Sequence, residues 1–220
     1  MIERTSDLGD WSVQAIRDFD EPGWFHIPSQ MTGVEREAWV EMAMAQVKRY
    51  VGVPRWDGSP TTEAMLREIL EYGVEDEPAL PSIATFQVWP LPGPAVLTCR
   101  VCLMDSSSVP DFTSVEGAVV HPVESPELGA GVQVTIKRTV EESAGWTSLF
   151  GVDLIFMDGD AALVLSLEQS LPALISGALP GLGVLKDSFR IIRPDGQKFG
   201  GITPENVLNE KPWELANDGR

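Results

Sequence analysis

The sequence predicts an α+β fold in which one antiparallel β-sheet is sandwiched between helices, in α/β/α layers within a single domain. Two amphipathic helical segments come first, before residue 76. From Ile83 onward the apolar residues change from helical spacing to the alternation of β-strands. Another stretch of helical periodicity follows the strands, so this order of elements predicts helices on both faces of the sheet.

The composition is that of an ordinary globular protein of 220 residues, of which 43% are hydrophobic and 22% are charged. A chain of this length can bury a substantial core as one domain. The 33 acidic and 16 basic residues leave a net charge of −17. Such a surface repels phosphate backbones, which disfavours nucleic-acid binding, whereas a basic protein partner is compatible with it.

Two features bear on the location of the protein. The first residues lack the basic and apolar regions of a secretory signal. The longest uncharged stretch, residues 169–185, is shorter than the roughly 20 residues that a membrane-spanning helix needs, and two prolines interrupt it. We therefore expect a cytoplasmic protein without a membrane partner, while the sequence leaves the oligomeric state open.

Three segments are expected along the chain. Residues 1–30 form an acidic, aromatic-rich lead-in that ends in a short strand, Trp24–Ile27, followed by a proline. Residues 31–193 form the α+β sandwich domain. Residues 194–220 form a C-terminal loop with a short helix that Thr203 caps.

Capping signals and apolar stripes place the first two helices. The first is predicted over Val34–Val51, where Thr32 and Glu35 have the spacing of a capping box. Its apolar stripe consists of Trp39, Val40, Ala43, Met44, Val47, Tyr50 and Val51. The second helix begins near Pro60 and is expected to stop at Gly73. Its inner face is predicted to consist of Met65, Leu66, Ile69 and Leu70.

The strands follow from alternation. They are expected in residues 83–89, 95–104, 116–122, 132–140, 147–158 and 161–168, with a loop at 123–131. Asp158 and Gly159 between two apolar runs indicate a type I′ hairpin turn. The run Ala162–Leu167 is typical of a central strand covered on both sides. The last helical stretch is interrupted at Pro180, which predicts two short helices or one broken helix ending near Phe189.

The only two cysteines, Cys99 and Cys102, have a spacing that redox sites and zinc sites also use. On a strand, residues three apart point to opposite faces, with their Cα atoms roughly 10 Å apart. A disulfide needs about 4.4–6.8 Å between those atoms. The pair is therefore interpreted as two buried structural thiols without redox or zinc chemistry.

No cofactor, metal or nucleotide site is predicted. His26 and His121 are isolated from other metal ligands along the sequence. Asp158 and Asp160 resemble the start of a calcium loop but lack its further ligands. The glycines of residues 177–183 have no lysine in phosphate-loop register. The absence of a catalytic motif favours a protein that is not an enzyme, although catalytic groups usually meet only in three dimensions.

An acidic segment is the candidate interaction surface. Between Glu63 and Glu77 the chain contains six acids and one arginine, Arg67. Because the other face of the second helix is expected in the core, the acids form a solvated face that serves either solubility or the docking of a basic protein. The candidate partner-binding residues are Glu63, Glu68, Glu71, Glu75, Asp76 and Glu77.

The C-terminal half resembles the Mog1/PsbP-like fold. The resemblance covers roughly Ile83–Ile192 and rests on the paired strands that end in GDAALVLSLEQ, followed by LPALISGALPGLGVLKDSFRII. It implies an antiparallel sheet sandwiched between helices and a binding or accessory role, with no fixed active-site motif to transfer.

We therefore expect a non-enzymatic binding or accessory protein whose acidic surface engages a protein partner. One alternative is an immunity-type inhibitor that uses its acidity to block a basic toxin. Another is a small-molecule-binding enzyme with a site between the C-terminal helices and the sheet. A polar cleft with His26 or His121 beside a carboxylate would favour the enzyme.

Overall fold

The structure is a computed structural model that describes residues 11–29, 31–51, 58–75, 82–91, 95–142 and 145–204. Its β-strands are β1 (Ser12–Ala15), β2 (Trp24–Ile27), β3 (Ala84–Val88), β4 (Leu97–Asp105), β5 (Ala118–Ser125), β6 (Gly129–Glu142), β7 (Gly145–Asp158), β8 (Ala161–Ser170) and β9 (Phe189–Ile192). Its α-helices are α1 (Gly33–Val51), α2 (Pro60–Glu75) and α3 (Pro172–Lys186), and two short 3-10 turns lie at Ser106–Ser108 and Phe112–Ser114. The α+β class is confirmed.

Seven of the strands form one sheet in the order β2-β3-β4-β8-β7-β6-β5, and each neighbouring pair is antiparallel. The predicted central position of β8 is confirmed, since this strand lies fourth of seven. Its coverage differs between the two faces: Ala161, Leu163 and Leu165 on one face have no solvent exposure, whereas Val164 and Ser166 on the other face are half-buried. A separate two-stranded sheet joins β1 to β9. The segment of residues 11–29 therefore supplies an edge strand of the main sheet, β2, as well as β1.

Helix α1 begins with the predicted capping box. The backbone N–H of Thr32 donates to Glu35 Oε2 over 2.8 Å, and the N–H of Glu35 donates back to Thr32 Oγ1 over 3.4 Å. The predicted stripe is buried at Trp39, Val40, Ala43, Met44 and Val47, while Tyr50 is half-buried. The helical period alone therefore located the inner face of α1.

Helix α2 corrects two predictions. It continues through Gly73 to Glu75, so Gly73 does not end the helix. The lack of a side chain at Gly73 instead lets Gln87 of β3 approach the helix closely. A Cβ atom at Gly73 would lie 2.5 Å from Nε2 of Gln87, which donates to the carbonyl of Ile69 over 2.9 Å. Met65, predicted on the inner face, is 40% exposed, whereas Leu66 and Leu70 are buried.

The strands on the β5 side are longer than predicted. The expected loop at residues 123–131 is reduced to a turn at 126–128, since β5 runs to Ser125 and β6 begins at Gly129. The β7–β8 hairpin is present, with Asp158 opposite Ala161, so that Gly159 and Asp160 form its two-residue connection. The connecting pair is therefore one residue later than the predicted Asp158–Gly159 pair. Gly159 has φ +63°, a conformation that the first central residue adopts in both type I′ and type II′ turns.

The C-terminal helix also differs from the prediction. Helix α3 is one unbroken helix that contains Pro180. Proline removes the hydrogen bond to the carbonyl four residues earlier, and both Pro180 and Ser176 are exposed, where water can satisfy that carbonyl. The helix ends at Lys186, three residues before the expected end near Phe189, and Phe189 begins β9 instead. The short helix expected after Thr203 lies outside the described residues.

Buried side chains form three clusters. The α3 cluster joins α3 to β3, β4, β7 and β8, with Leu182 and Phe156 among its members. The helix-pair cluster joins α1 and α2 to β2 and includes Trp89. The third cluster joins β5, β6 and Ile155 to Phe112. None of the described helices combines the length and apolar character that a bilayer crossing demands.

The β6–β7 hairpin extends beyond its neighbours. The β5–β6 pairing ends at Ile136, and the β7–β8 pairing begins at Phe150. Residues 137–142 and 145–149, which we call the arm, pair with each other and, within the described part of the chain, with no other named strand. Trp146 of the arm is 71% exposed.

Candidate functional site

The structure places three of the six predicted partner-binding side chains on the outer side of the helix pair α1–α2. Glu68 is exposed, whereas Glu63 forms an ion pair with Lys48 of α1. Glu71 lies 3.9 Å from the guanidinium of Arg67. Glu75 is the last residue of α2, and the structure describes its backbone but not its side chain. Asp76 and Glu77 lie outside the described residues.

Arg67 connects the acids of the two helices. Its Nη1 donates to Glu37 Oε1 over 3.0 Å, and its Nη2 donates to Glu41. The hydrogen bond with Glu41 is the main cause that raises the pKa of Arg67. Three carboxylates thus surround one cation, which leaves this part of the surface with an excess of negative charge.

Glu37 and Glu41 are absent from the sequence prediction, which took its acids from the second helical segment alone. They lie on α1, four residues apart and outside the apolar stripe, so they share one face of that helix. This four-residue spacing is the sequence pattern that could have identified Glu37 and Glu41 as part of the acidic surface. Their contact with Arg67 depends on how α1 packs against α2, which the sequence pattern does not specify.

Apolar side chains are exposed on the same two helices. The exposed fractions are 72% for Tyr72, 49% for Met42 and 40% for Met65. Met65, Glu68 and Tyr72 recur on α2 at spacings of three and four residues, so they form one stripe on its solvent side. An exposed aromatic and methionine beside charged groups is the composition of many protein interfaces.

A second polar group of residues crosses the central strands. Thr85 of β3, Arg100 of β4, Ser166 of β8 and Asp153 of β7 are directly opposite one another in successive pairs, and we call them the polar row. Directly opposite residues project from the same face of a sheet. All four are half-buried, which is unusual for the middle of a large sheet, and Cys102 lies beside them with only 6% exposure.

The electrostatics of the polar row do not produce a reactive thiol. Burial is the main cause that raises the pKa of Cys99 and of Cys102, and Asp153 raises both further. Arg100 opposes these shifts in both thiols. Both groups are therefore protonated at neutral pH, and a protonated thiol is a poor nucleophile. Burial also raises the pKa of Asp153, against the effect of its hydrogen bond with Ser166.

The two cysteines lie on opposite faces of β4, as predicted. Cys99 is opposite Phe86 and belongs to the α3 cluster, whereas Cys102 is opposite Val164, which contacts the third cluster. Both thiols are free.

The aspartates of the MDGD sequence have separate surroundings. Asp158 is 9% exposed and accepts hydrogen bonds from Arg193 Nη1 over 2.9 Å and from the N–H of Gly200 over 3.0 Å. Asp160 is exposed in the turn. Asp158 therefore fastens the segment of residues 193–200 to the end of β7, a role that the sequence did not indicate.

The other motifs have structural positions. The ring of His26 lies 5.4 Å from that of Phe86, and His121 is exposed opposite Gln133 on β5. The glycines of residues 177–183 lie inside α3. Among the described residues, no group of three or more histidines, cysteines or acids could hold a metal ion.

Comparisons with known families, curated proteins and solved structures found no match for this chain.

Proposed function

We propose that this protein is a non-enzymatic binding or accessory protein of the cytoplasm that engages a basic protein partner. The docking surface is the outer side of the helix pair α1–α2, which we call the acidic face. It comprises Glu37, Glu41, Met42, Met65, Glu68, Glu71 and Tyr72, and the predicted docking residues Glu75, Asp76 and Glu77 follow these in the sequence.

The exposure of Tyr72 carries this proposal. A surface that is acidic only for solubility has no need of an aromatic side chain that is 72% exposed. Tyrosine and methionine provide contact area in the centre of an interface, and charges around them select the partner and accelerate encounter. The carboxylates around Tyr72 and Met65 suit lysine and arginine side chains of a partner.

The layered arrangement of the domain belongs to the same proposal. Leu182 and other side chains of α3 pack with one set of sheet residues, while α1 and α2 pack with Phe25 and Ile27 of β2. Phe25 and Ile27 alternate along β2 with Trp24, which packs on the α3 cluster. These contacts support α/β/α layers and are compatible with a Mog1/PsbP-like fold.

The region between α3 and the sheet favours binding over catalysis. The side chains that α3 buries there are apolar, such as Leu174, Leu182 and Leu185. None of these groups can transfer a proton or attack a substrate. An immunity-type inhibitor of a basic toxin would use the acidic face in the same way, so it is one form of the same proposal.

The test is the rate of association with the partner that co-purifies with the protein from its native host. A triple charge reversal of Glu68, Glu71 and Glu75 to lysine should slow association at low salt, with a smaller effect on dissociation. The wild-type association rate should fall as salt rises, since charges are screened over about 10 Å at 0.1 M.

A matched control reverses three exposed acids elsewhere, Asp18, Glu116 and Glu124, and changes the net charge equally. Its association rate should stay closer to that of the wild type. A second variant, Tyr72→Ala, should accelerate dissociation, because it removes buried contact area at the interface. An association rate that both triple variants lower equally would show a general charge effect and would overturn the acidic face as the docking site.

A further inference from the structure

The arm of the β6–β7 hairpin differs in net charge from the chain as a whole. Residues 137–149 contain two basic and two acidic residues, so the arm has no net charge within a chain whose net charge is −17. A second copy can therefore approach the arm without the repulsion that opposes contact elsewhere. The exposed Trp146 adds apolar area at the same place.

One edge of the arm has backbone groups that point away from the hairpin. The N–H of Lys137 donates over 3.1 Å to the carbonyl of Gly117, which precedes β5. Because the direction of these groups alternates along an antiparallel strand, the N–H and C=O groups of Thr139 and Glu141 point the same way. The pairing of β5 with β6 ends opposite Ile136, short of both residues.

The sequence of this edge is complementary to itself. Lys137 and Arg138 begin it and Glu141 and Glu142 end it, with Thr139 and Val140 between them. Antiparallel pairing of two such edges places basic residues opposite acidic ones. Parallel pairing in register places like charges opposite each other, which is destabilising. Charged residues usually protect an edge strand from pairing, but this pattern leaves one pairing favourable.

We propose that two copies of this chain pair through the β6 edges of their arms, in an antiparallel arrangement with Val140 on the twofold axis. Thr139 of each copy then exchanges two backbone hydrogen bonds with the partner's Glu141, giving four in total. In this register, position 138 of each copy is opposite position 142 of the other, so the sequence pairs a basic with an acidic residue at two places. The sheets of the two copies join into one.

The length of the available edge fixes this register. Gly117 occupies the edge at Lys137, and β6 ends at Glu142, so residues 138–142 are the part of this edge that no strand of the described chain covers. Val140 is the middle of that segment. A twofold axis at Val140 therefore pairs the whole segment with itself, whereas an axis at Thr139 would place the partner's strand where Gly117 lies. This inference is independent of the acidic face on α1 and α2.

Complementary charge variants test the pairing by sedimentation velocity. Arg138→Glu places two carboxylates opposite each other at each Arg138 and partner Glu142 contact, and Glu142→Arg places two guanidinium groups there. Each variant alone should raise the dissociation constant of the dimer about tenfold or more. A mixture of the two variants should form a heterodimer, because every opposed pair is then complementary. The double variant R138E/E142R should also dimerise like the wild type.

Controls with the same charge changes lie outside the arm. Arg49→Glu and Asp18→Arg are exposed positions on α1 and between β1 and β2 and should leave the dimer unchanged. Far-ultraviolet circular dichroism verifies that each variant is folded. A wild-type chain that stays monomeric at about 0.5 mM, far above the micromolar range of a specific dimer, would overturn the proposal. A mixture of the two variants that does not restore the dimer would overturn it as well.

A cross-link provides a test that does not depend on charge. At a non-hydrogen-bonded pair on a twofold axis the Cα atoms are about 4.5 Å apart, within the range of a disulfide. Val140→Cys should therefore form a covalent dimer on mild oxidation, while Thr139→Cys should not. The buried Cys99 and Cys102 do not compete. Cross-linking of Ser148→Cys without Val140→Cys would assign the contact to the β7 edge and refute this pairing.

Discussion

Glu127 lies in the turn between β5 and β6 and is held by two cations. Its Oε2 accepts a hydrogen bond from Arg190 Nε over 2.8 Å and forms an ion pair with Lys198 Nζ over 3.0 Å. The hydrogen bond from Arg190, and next that from Lys198, lowers the pKa of Glu127 to about 2. These contacts fasten the turn to β9 and to the segment that follows it.

We predict that Glu127 stabilises the fold at neutral pH and ceases to do so in acid. A carboxyl whose pKa is lowered by folding contributes stability above its unfolded pKa of 4.5, and this contribution is lost as the pH falls toward 2. Urea unfolding of Glu127→Gln and of the wild type measures it. The difference in free energy of unfolding should be present at pH 6 and shrink toward pH 2. A constant difference would contradict the explanation.

Asp153 should show the opposite dependence. Burial raises its pKa, so its charged form is less favourable in the folded state than in the unfolded state. Stability should therefore fall as the pH rises from the unfolded value of 3.8 through the raised folded pKa. Asp153→Asn removes the charge and keeps the hydrogen-bond acceptor for Ser166.

The measurement is again urea unfolding, now with Asp153→Asn. The variant should be more stable than the wild type at pH 7, and this advantage should disappear at about pH 3, below the ordinary pKa of an aspartate, where both side chains are neutral. Asp160→Asn, at an exposed aspartate, serves as the control for the loss of one negative charge. A variant that is less stable at pH 7 would indicate that the charge of Asp153 is favourable in the polar row.

At the level of elements, the β7–β8 turn provides a local test. A Cβ atom at Gly159 would meet no atom within 4 Å, so a substitution there is opposed by the backbone conformation alone. Gly159→Val should lower the free energy of unfolding by roughly 1 kcal/mol or more. Gly196, which also has positive φ and open space, provides a matched position in a different turn.

The effect of Gly159→Val should appear as a shift of the urea midpoint without a change of slope, because the compactness of the native state is unchanged. Asp160→Asn should be nearly silent in the same experiment, since that side chain is exposed. Equal destabilisation by both substitutions would show that the turn depends on the carboxylate as well as on the glycine.

The sequence predicted elements where one periodic pattern decides the structure. The stripe of α1 and the β7–β8 hairpin are local patterns, and both were located, the turn of the hairpin to within one residue. In α2, Leu66 and Leu70 define the inner direction, and Met65 lies about 100° away from Leu66, at the margin where burial depends on the neighbouring helix. Strand β9 was missed because its partner β1 lies near the other end of the chain.

The predictions for α3 and for the acidic face failed or were incomplete for related reasons. Proline inside a helix is unfavourable by about 3 kcal/mol. Helix α3 buries four large apolar side chains and an alanine on one side, and the free energy of this burial exceeds the cost of the proline. The network of Arg67 depends on contacts between two helices. Neither effect is visible in the periodicity of a single segment.

The charge of the whole molecule predicts how salt affects its stability. With a net charge of −17, compaction of the chain is opposed by self-repulsion, which salt screens. Salt also weakens surface ion pairs such as that of Lys48 with Glu63, but exposed pairs contribute at most about 1 kcal/mol each. We expect repulsion to be the larger effect.

Raising sodium chloride from about 0.02 M to about 0.5 M should therefore raise the melting temperature, because the Debye length falls from well above ~10 Å to a few ångströms. The triple variant with lysine at Glu68, Glu71 and Glu75 carries less net charge and should respond less. A melting temperature that falls with salt in both proteins would mean that ion pairs dominate.

The pairing of β1 with β9 has a consequence for the order of folding. Ser12 is opposite Ile192, so nearly the whole described chain forms the loop that this small sheet closes. Closing a long loop costs chain entropy, and two four-residue strands provide little stabilisation against that cost. The β1–β9 contact therefore becomes favourable only after the seven-stranded sheet has brought the two segments together. During synthesis β1 cannot pair until β9 has been made, so Trp11 and Val13 stay exposed until that point. In the folded protein, the amide hydrogens of β1 and β9 should exchange with solvent before those of β8.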